Sequence, residues 1–248
     1  LHSGYYGGPA INPIKVLSRI LGEMHDQNGH ITIPGFYDRV KVPSAATRKA
    51  WKKIPFSEKE YLGGVGLKKP AGEKGFSVLE QMWVRPTAEV NGIWGGYTGA
   101  GNKTVLPAEA HGKVTFRLVQ GQDPKKISKA FRTYVKSKLP KDCKAIFTSH
   151  GGGAAVAIPS DNHWIAKARR ALGDEWGKAP VVVGEGGSIP VVESFANHLG
   201  LDSILMGFCN EDDLLHSPNE NYKVESYHKG TRAWARFIAE LIKDMPQK

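Results

Sequence analysis

The sequence predicts an α+β sandwich, one antiparallel sheet with two helices on one face, followed by part of an α/β domain. Three observations carry this. Two helices open on the same signature, a capping side chain before a proline, at Asn12-Pro13 and Asp123-Pro124. Between them Val114, Phe116 and Leu118 alternate with Lys113, Thr115 and Arg117, the period of a half-buried strand. After His150-Gly151-Gly152-Gly153, helical patterns alternate with short apolar runs.

In the first helix Ile14, Leu17, Leu21 and Met24 share a face, and the helix is expected to stop before Asn28-Gly29. Pro34 to Gly75, rich in Gly, Pro and Lys, reads as a surface excursion with a short helix around Glu58–Leu62. Extended segments are expected at Val78–Val84 and Lys113–Val119. In the second helix Ile127, Phe131 and Tyr134 fall on one face and the lysines on the other. A strand at Lys144–Thr148 follows. With an opening strand lying partly upstream, this order gives the sandwich.

The second half is expected to hold helices at Asp161–Leu172 and Ile189–Leu199, strands at Val181–Val183 and Ser203–Phe208, and a final helix at Val224–Lys243. So few strands cannot form a covered parallel sheet of ordinary size. The expected boundary gives domains 1–149 and 150–248, the second being part of a domain whose remainder lies elsewhere.

Composition removes several function classes. The 248 residues are 40% hydrophobic and 23% charged, ordinary for a folded domain. No apolar stretch approaches the roughly 20 residues that cross a bilayer, so no membrane role is expected. The net charge of +10 invites nucleic acid as a partner. Much of it, however, lies on the solvated face of the helix after Asp123, and the strand Lys113–Val119 offers only Phe116 as an aromatic. No nucleic acid is expected. Two cysteines, Cys143 and Cys209, read as free thiols in a reducing compartment. Leu1–Tyr6 lacks the zones of a signal peptide and an initiator methionine, so the chain is expected to begin inside a longer product. A cytoplasmic location is the expectation.

Chemistry concentrates in three loops. One is His2-Ser3-Gly4. Another is Gly184-Glu185-Gly186-Gly187-Ser188-Ile189-Pro190, where backbone N–H groups ahead of a helix favour anions. The third is Asn210 to Glu220, which contains His216. The last two follow expected strands, and in open α/β sheets ligands bind at strand carboxyl ends. Each alone has an ordinary explanation: a tight connection, a loop histidine, a domain crossover at His150.

Their ordered combination is specific. Leu1-His2-Ser3-Gly4, Asn102-Lys103-Thr104-Val105-Leu106-Pro107, Phe116-Arg117-Leu118-Val119, His150-Gly151-Gly152, Glu185-Gly186-Gly187-Ser188-Ile189-Pro190 and His216-Ser217-Pro218-Asn219-Glu220 occur in this order. Together they resemble the dinuclear zinc metallopeptidase family of aminoacylases, carboxypeptidases and cytosolic, carnosine-type dipeptidases, over essentially the whole chain. The resemblance implies a lid and dimerisation domain over 1–149 and the last part of the catalytic domain over 150–248. It implies His216 as a zinc ligand, with two zinc ions per site in the intact enzyme. It implies Arg117 as a bidentate clamp on the substrate carboxylate, and Ser188 with Gly186 and Gly187 as holders of the substrate backbone. His2 and Thr104 would reach the partner subunit's site in a homodimer, His2 stabilising the oxyanion. His150 would sit near the substrate. The implied substrate is a dipeptide or an N-acyl amino acid.

The family's other metal-binding strings, and its general-base glutamate, would all precede Leu1. Asp212 and Asp213 match no family ligand and read as loop carboxylates. This chain alone is therefore expected to be inactive and to hold zinc weakly; a purely non-catalytic dimerisation module is the alternative. A serine esterase built on Ser188 and His216 fits poorly, because Ser188 lies in Gly-Gly-Ser-Ile-Pro rather than a G-x-S-x-G elbow.

Overall fold

Side-chain caps start most of the helices in the first part of the computed structural model, which describes residues 1–159, 162–184 and 189–243. The chain divides into two compact units, Leu1–Val156 with Gly184–Glu193, and Ala157–Val183 with Ser194–Lys248. In the first unit α1 spans Ser3–Tyr6 and α2 spans Pro13–Gly22. Asn12 Oδ1 accepts from Ile14 N at 2.9 Å and Pro13 occupies the first turn, as the sequence predicts. Helices α3 (Ala45–Trp51) and α4 (Glu58–Gly64) sit within the expected excursion, capped by Ser44 and Ser57.

Helix α5 (Val78–Trp83) overturns the extended segment expected at Val78–Val84. A capping box decides it: Ser77 Oγ accepts from Glu80 N, and Glu80 Oε2 accepts from Ser77 N at 2.9 Å. Strand β1 (Thr87–Gly95) was not expected. It pairs antiparallel with β2 (Ala110–Arg117), from Thr87↔Arg117 to Gly95↔Ala110, with a bulge between Val90 and Gly92. The strand expected at Lys113–Val119 thus starts and ends earlier. Helix α6 (Pro124–Lys138) begins at Asp123, whose Oδ1 accepts from Lys125 N at 2.8 Å.

Helices α2 and α6 cover one face of the sheet, the expected sandwich. Ile20, Leu21 and Met24 of α2, Ile127, Tyr134 and Val135 of α6, Ala88 of β1 and Phe36 form the buried core. Fully burying a side chain such as Phe36 or Met24 stabilises by about 1.5–3 kcal/mol. Tyr134 Oη donates to Ile20 O at 2.8 Å, tying the two helices together inside that core. The strand expected at Lys144–Thr148 keeps its alternation but joins no ladder among the described residues: Ala145 and Phe147 pack on the core while Ile146 is 95% exposed.

The second unit rests on a helix pair, α7 (His163–Trp176) and, after α8 (Pro190–Leu199) and a 3-10 turn at Glu211–Asp213, α9 (Val224–Ile242). Asp161, the expected start of α7, lies outside the described residues. Asn162 caps the helix, and Gly177 ends it in the left-handed conformation at φ 66°. Ala168 and Ala171 on α7 meet Phe237 on α9, with Ile204, Met206 and Leu241 packed around them. Glu175 accepts from Arg232 at 2.6 Å and from Arg236 at 3.2 Å, pinning the helices at one end. The strands expected at Val181–Val183 and Ser203–Phe208 form no ladder among the described residues. A strand needs a partner, and among the described residues none pairs with these apolar runs.

Candidate functional site

His2 and Thr104 are brought together by a short antiparallel pairing between the first residues and the loop ahead of β2. Leu1 N donates to Leu106 O at 3.0 Å and Leu106 N donates to Leu1 O at 2.7 Å. His2 then pairs with Val105, and Ser3 N donates to Thr104 O at 3.0 Å. His2 caps α1, its Nδ1 accepting from Gly4 N at 3.1 Å. The ring folds back so closely that a Cβ at Gly4 would stand 2.9 Å from His2 Cε1. Glycine at this place is a steric requirement of the histidine's pose.

The same hydrogen bond sets the tautomer. With Nδ1 accepting, the neutral ring carries its proton on Nε2. That nitrogen lies 3.4 Å from Thr104 Oγ1. Both residues are exposed. In this tautomer Nε2–H donates to Thr104 Oγ1 and leaves the threonine O–H to donate outward, so a developing negative charge would be met by that O–H or by the N–H once it turns from the threonine.

Arg117 closes β2 opposite Thr87 and is exposed. Val114 and Phe116 pack inward, so strand alternation puts Arg117 on the outer face with His111, Lys113 and Thr115. There the Trp94 ring stacks on His111 at 4.9 Å, with the Lys113 ammonium 5.7 Å from its centroid. Arg117 and Ala110 stand at opposite ends of the strand, roughly 23 Å apart at about 3.3 Å per residue. His150 is exposed, in the irregular segment after the Ala145–Phe147 core contacts. Gly186, Gly187 and Ser188 lie outside the described residues.

His216 belongs to the second unit and sits in a turn held open by unusual backbone. Leu214, His216 and Asn219 all have positive φ, at 53°, 60° and 65°. His and Asn are among the side chains that tolerate this region; leucine is not, and each such residue costs on the order of 1–3 kcal/mol. Backbone strain of that size gathers where a loop is shaped for a task. Of the neighbouring carboxylates, Asp212 is paired, whereas Asp213 is bonded through Oδ2 and its buried Oδ1 has no hydrogen-bond partner among the described residues. Asp213 is buried and accepts from Asn210 N at 2.7 Å, and Asp212 pairs with Lys223 at 2.8 Å. The hydrogen bond from Lys223 holds the Asp212 carboxyl below its ordinary range.

Among the described residues no three His, Cys, Asp or Glu side chains are grouped to hold a metal ion. A zinc ion takes about four ligands, and among the described residues of this loop the His216 imidazole and the unpartnered Asp213 Oδ1 belong to no group of three. The described residues therefore fit zinc only as a contribution to a larger ligand set.

The peptidase dimerisation domain of the M20 family matches residues 1–143. The chain belongs to that family. Among its relatives, the Cys-Gly metallodipeptidase DUG1 of Candida albicans is 31% identical over 242 residues, covering 96% of this chain and 50% of that protein. The human Beta-Ala-His dipeptidase is 28% identical, covering 97% of this chain and 48% of its own length. The structure of the M20 family metallo-carboxypeptidase Sso-CP2 from Sulfolobus solfataricus superposes with a TM-score of 0.84 at 27% identity, over 96% of this chain and 54% of that one. The chain thus spans about half the length of the curated M20 relatives it matches. Its α+β sandwich is that of the M20 dimerisation domain.

Proposed function

We propose that this chain is the carboxy-terminal portion of a zinc-dependent M20 peptidase that hydrolyses dipeptides, or related amides with a free carboxylate. Residues 1–149 serve as lid and dimerisation domain, and residues 150–248 as the last part of the catalytic domain. The observation that carries this reading is the His2–Thr104 donor pair at one end of β2, with Arg117 at the other. A dipeptide reaches only about 7 Å, so one protomer's His2 and Arg117 cannot both hold it. Two protomers can, which favours a homodimer through the lid.

In this reading Arg117 grips the substrate carboxylate, and Gly186, Gly187 and Ser188 hold its backbone. His150 stands beside it, and His2 with Thr104 of the partner protomer receives charge from the carbonyl. His216 supplies one zinc ligand. The names of the M20 relatives support a dipeptide substrate; the same residues would also serve an N-acyl amino acid, and kcat/KM for the two substrate types separates these.

Two expected outcomes test the reading. Arg117→Ala in a longer, active form raises KM for substrates with a free carboxylate about 10–100-fold, the size of a lost charged hydrogen-bond pair of roughly 1.5–3 kcal/mol. Substrates with an amidated terminus should be insensitive; an unchanged KM for the free acid removes Arg117 from the site. The 248-residue chain, loaded with zinc and desalted, should retain less than one equivalent by elemental analysis and cleave no dipeptide. Stoichiometric retention would show that it holds a complete ligand set.

A further inference from the structure

Two turns meet where the loop after Phe36 approaches the connection between β2 and α6. In the first, Val40 N donates to Tyr37 O at 3.0 Å and Arg39 stands at φ 65°. In the second, Gln122 N donates to Val119 O at 3.2 Å and Gly121 stands at φ 95°. The turns touch: a Cβ at Gly121 would lie 2.8 Å from Arg39 O and 3.3 Å from Arg39 Cβ. Gln122, 5% exposed, clamps them together. Its Nε2 donates to Phe36 O at 2.6 Å and its Oε1 accepts from Val119 N at 2.8 Å. Glycine enters the left-handed region freely. Arginine is disfavoured there, and asparagine or glycine would hold the same turn with less strain. Such an outlier persists where its surroundings over-determine it, and it points to a task for the side chain.

Arg39, Val40, Lys41, Gln120 and Gly121 line a cleft of about 510 Å³. Its walls carry two cations and an amide, and no carboxylate. Among the described residues neither Arg39 nor Lys41 has an ion-pair partner. The acids nearest in the chain are turned to other uses. Asp123 caps α6, accepting from Lys125 N and Lys126 N, and Asp38 Oδ2 stands 3.3 Å from the place of a Cβ at Gly35. The backbone N–H groups of Arg39, Lys41 and Gly121 have no backbone acceptor among the described residues. We propose that this cleft binds a small phosphate-class dianion, either free phosphate or the terminal group of a phosphate monoester. Arg39 offers a planar fork of donors and Lys41 a point charge. Turn amides of this kind add donors that favour anions. A single carboxylate would balance only one of the two cations, whereas a dianion balances both. This inference does not depend on the peptidase reading.

A titration followed by amide chemical shifts tests it. Sodium phosphate is added to the 248-residue chain with sodium chloride holding the ionic strength constant, so that general screening cannot contribute. Shifts should saturate in the millimolar range and concentrate at residues 39–41 and 120–121. Methyl phosphate, run in parallel, separates the two sources: equal or tighter binding assigns the cleft to a monoester, weaker binding to free phosphate. Arg39→Asn keeps a residue that tolerates the left-handed turn but removes the charge. It should weaken phosphate binding at least about tenfold, the size of a lost charged hydrogen bond, without lowering the thermal midpoint measured in chloride alone. Lys41→Gln, which leaves the turn untouched, should weaken binding severalfold. Shifts that fail to saturate, shifts spread over the lysines of α6, affinity unchanged in both variants, or acetate binding as tightly as phosphate would each overturn the proposal.

Discussion

Glu73→Ala lowers the unfolding free energy of the first unit by about 3–5 kcal/mol, because it strands a buried cation. Arg85 is 7% exposed and grips the 12%-exposed Glu73 through two bonds, Nε to Oε2 at 2.7 Å and Nη2 to Oε1 at 3.0 Å. His30 Nδ1 lies 3.0 Å from Oε1, and Tyr37 Oη donates to Oε2 at 3.4 Å. The guanidinium also packs on Phe76 at 4.2 Å and on Tyr37 at 4.9 Å. These contacts join the 30–37 loop to the segment leading into β1. Removing the carboxylate leaves the guanidinium between two rings with no counter-charge. Domains are stable by only about 5–15 kcal/mol, so the loss is large.

The effect depends on pH. Burial alone raises the Glu73 carboxyl, but hydrogen bonds from Arg85 and His30 outweigh it and leave the group below its ordinary 4.5. A carboxyl depressed in the folded state contributes stability in full above its unfolded value, and loses it as pH falls through the folded one. Urea denaturation at pH 7 should therefore show the full gap between Glu73→Ala and the parent, and the gap should close progressively below about pH 4.5. A gap under about 1 kcal/mol at pH 7 would mean that the cluster relaxes around the missing carboxylate.

His2→Ala, in a longer and dimeric form, lowers kcat by about 10²–10³ with little change in KM, the cost of one oxyanion donor. The alanine also removes the cap on Gly4 N, so His2→Asn is the needed companion: it caps but cannot place a donor at the Nε2 position. Loss in both variants assigns the effect to the ring nitrogen. Mixing protomers gives the sharper test. A dimer of one His2→Ala and one Arg117→Ala protomer has one damaged site and one site with both wild-type residues, if they come from different subunits. Random exchange should restore about a quarter of parental activity, since half the dimers are mixed and each has one intact site. No recovery would place both residues on one protomer's site and sink the cross-dimer arrangement.

Local chemistry explains what could be read in advance. Asn12-Pro13 and Asp123-Pro124 mark α2 and α6 because a cap and a proline act within one turn. Val78–Val84 misled because Val78, Trp83 and Val84 favour strands, while Leu79, Glu80, Gln81 and Met82 are good helix formers and the two hydrogen bonds between Ser77 and Glu80 start the helix. β1 stayed hidden behind Asn91-Gly92, which reads as a turn but lies in a strand that tolerates a bulge.

The candidate site divides in the same way. The strings holding His2, Arg117 and His216 are visible as residue types in order, and they suffice to indicate the M20 family. The sequence by itself determined the capped helices, the alternation of β2 and the side chains on offer. Only the tertiary structure placed His2 against Thr104, 102 residues away, with Nε2 as the donor and Gly4 beneath the ring. It alone closed Glu73 onto Arg85 and showed that alternation at 144–148 makes no strand by itself. The reason is physical: a cap is satisfied by its own neighbours in the chain, whereas a ladder, a buried ion pair or a shared site exists only when distant segments meet.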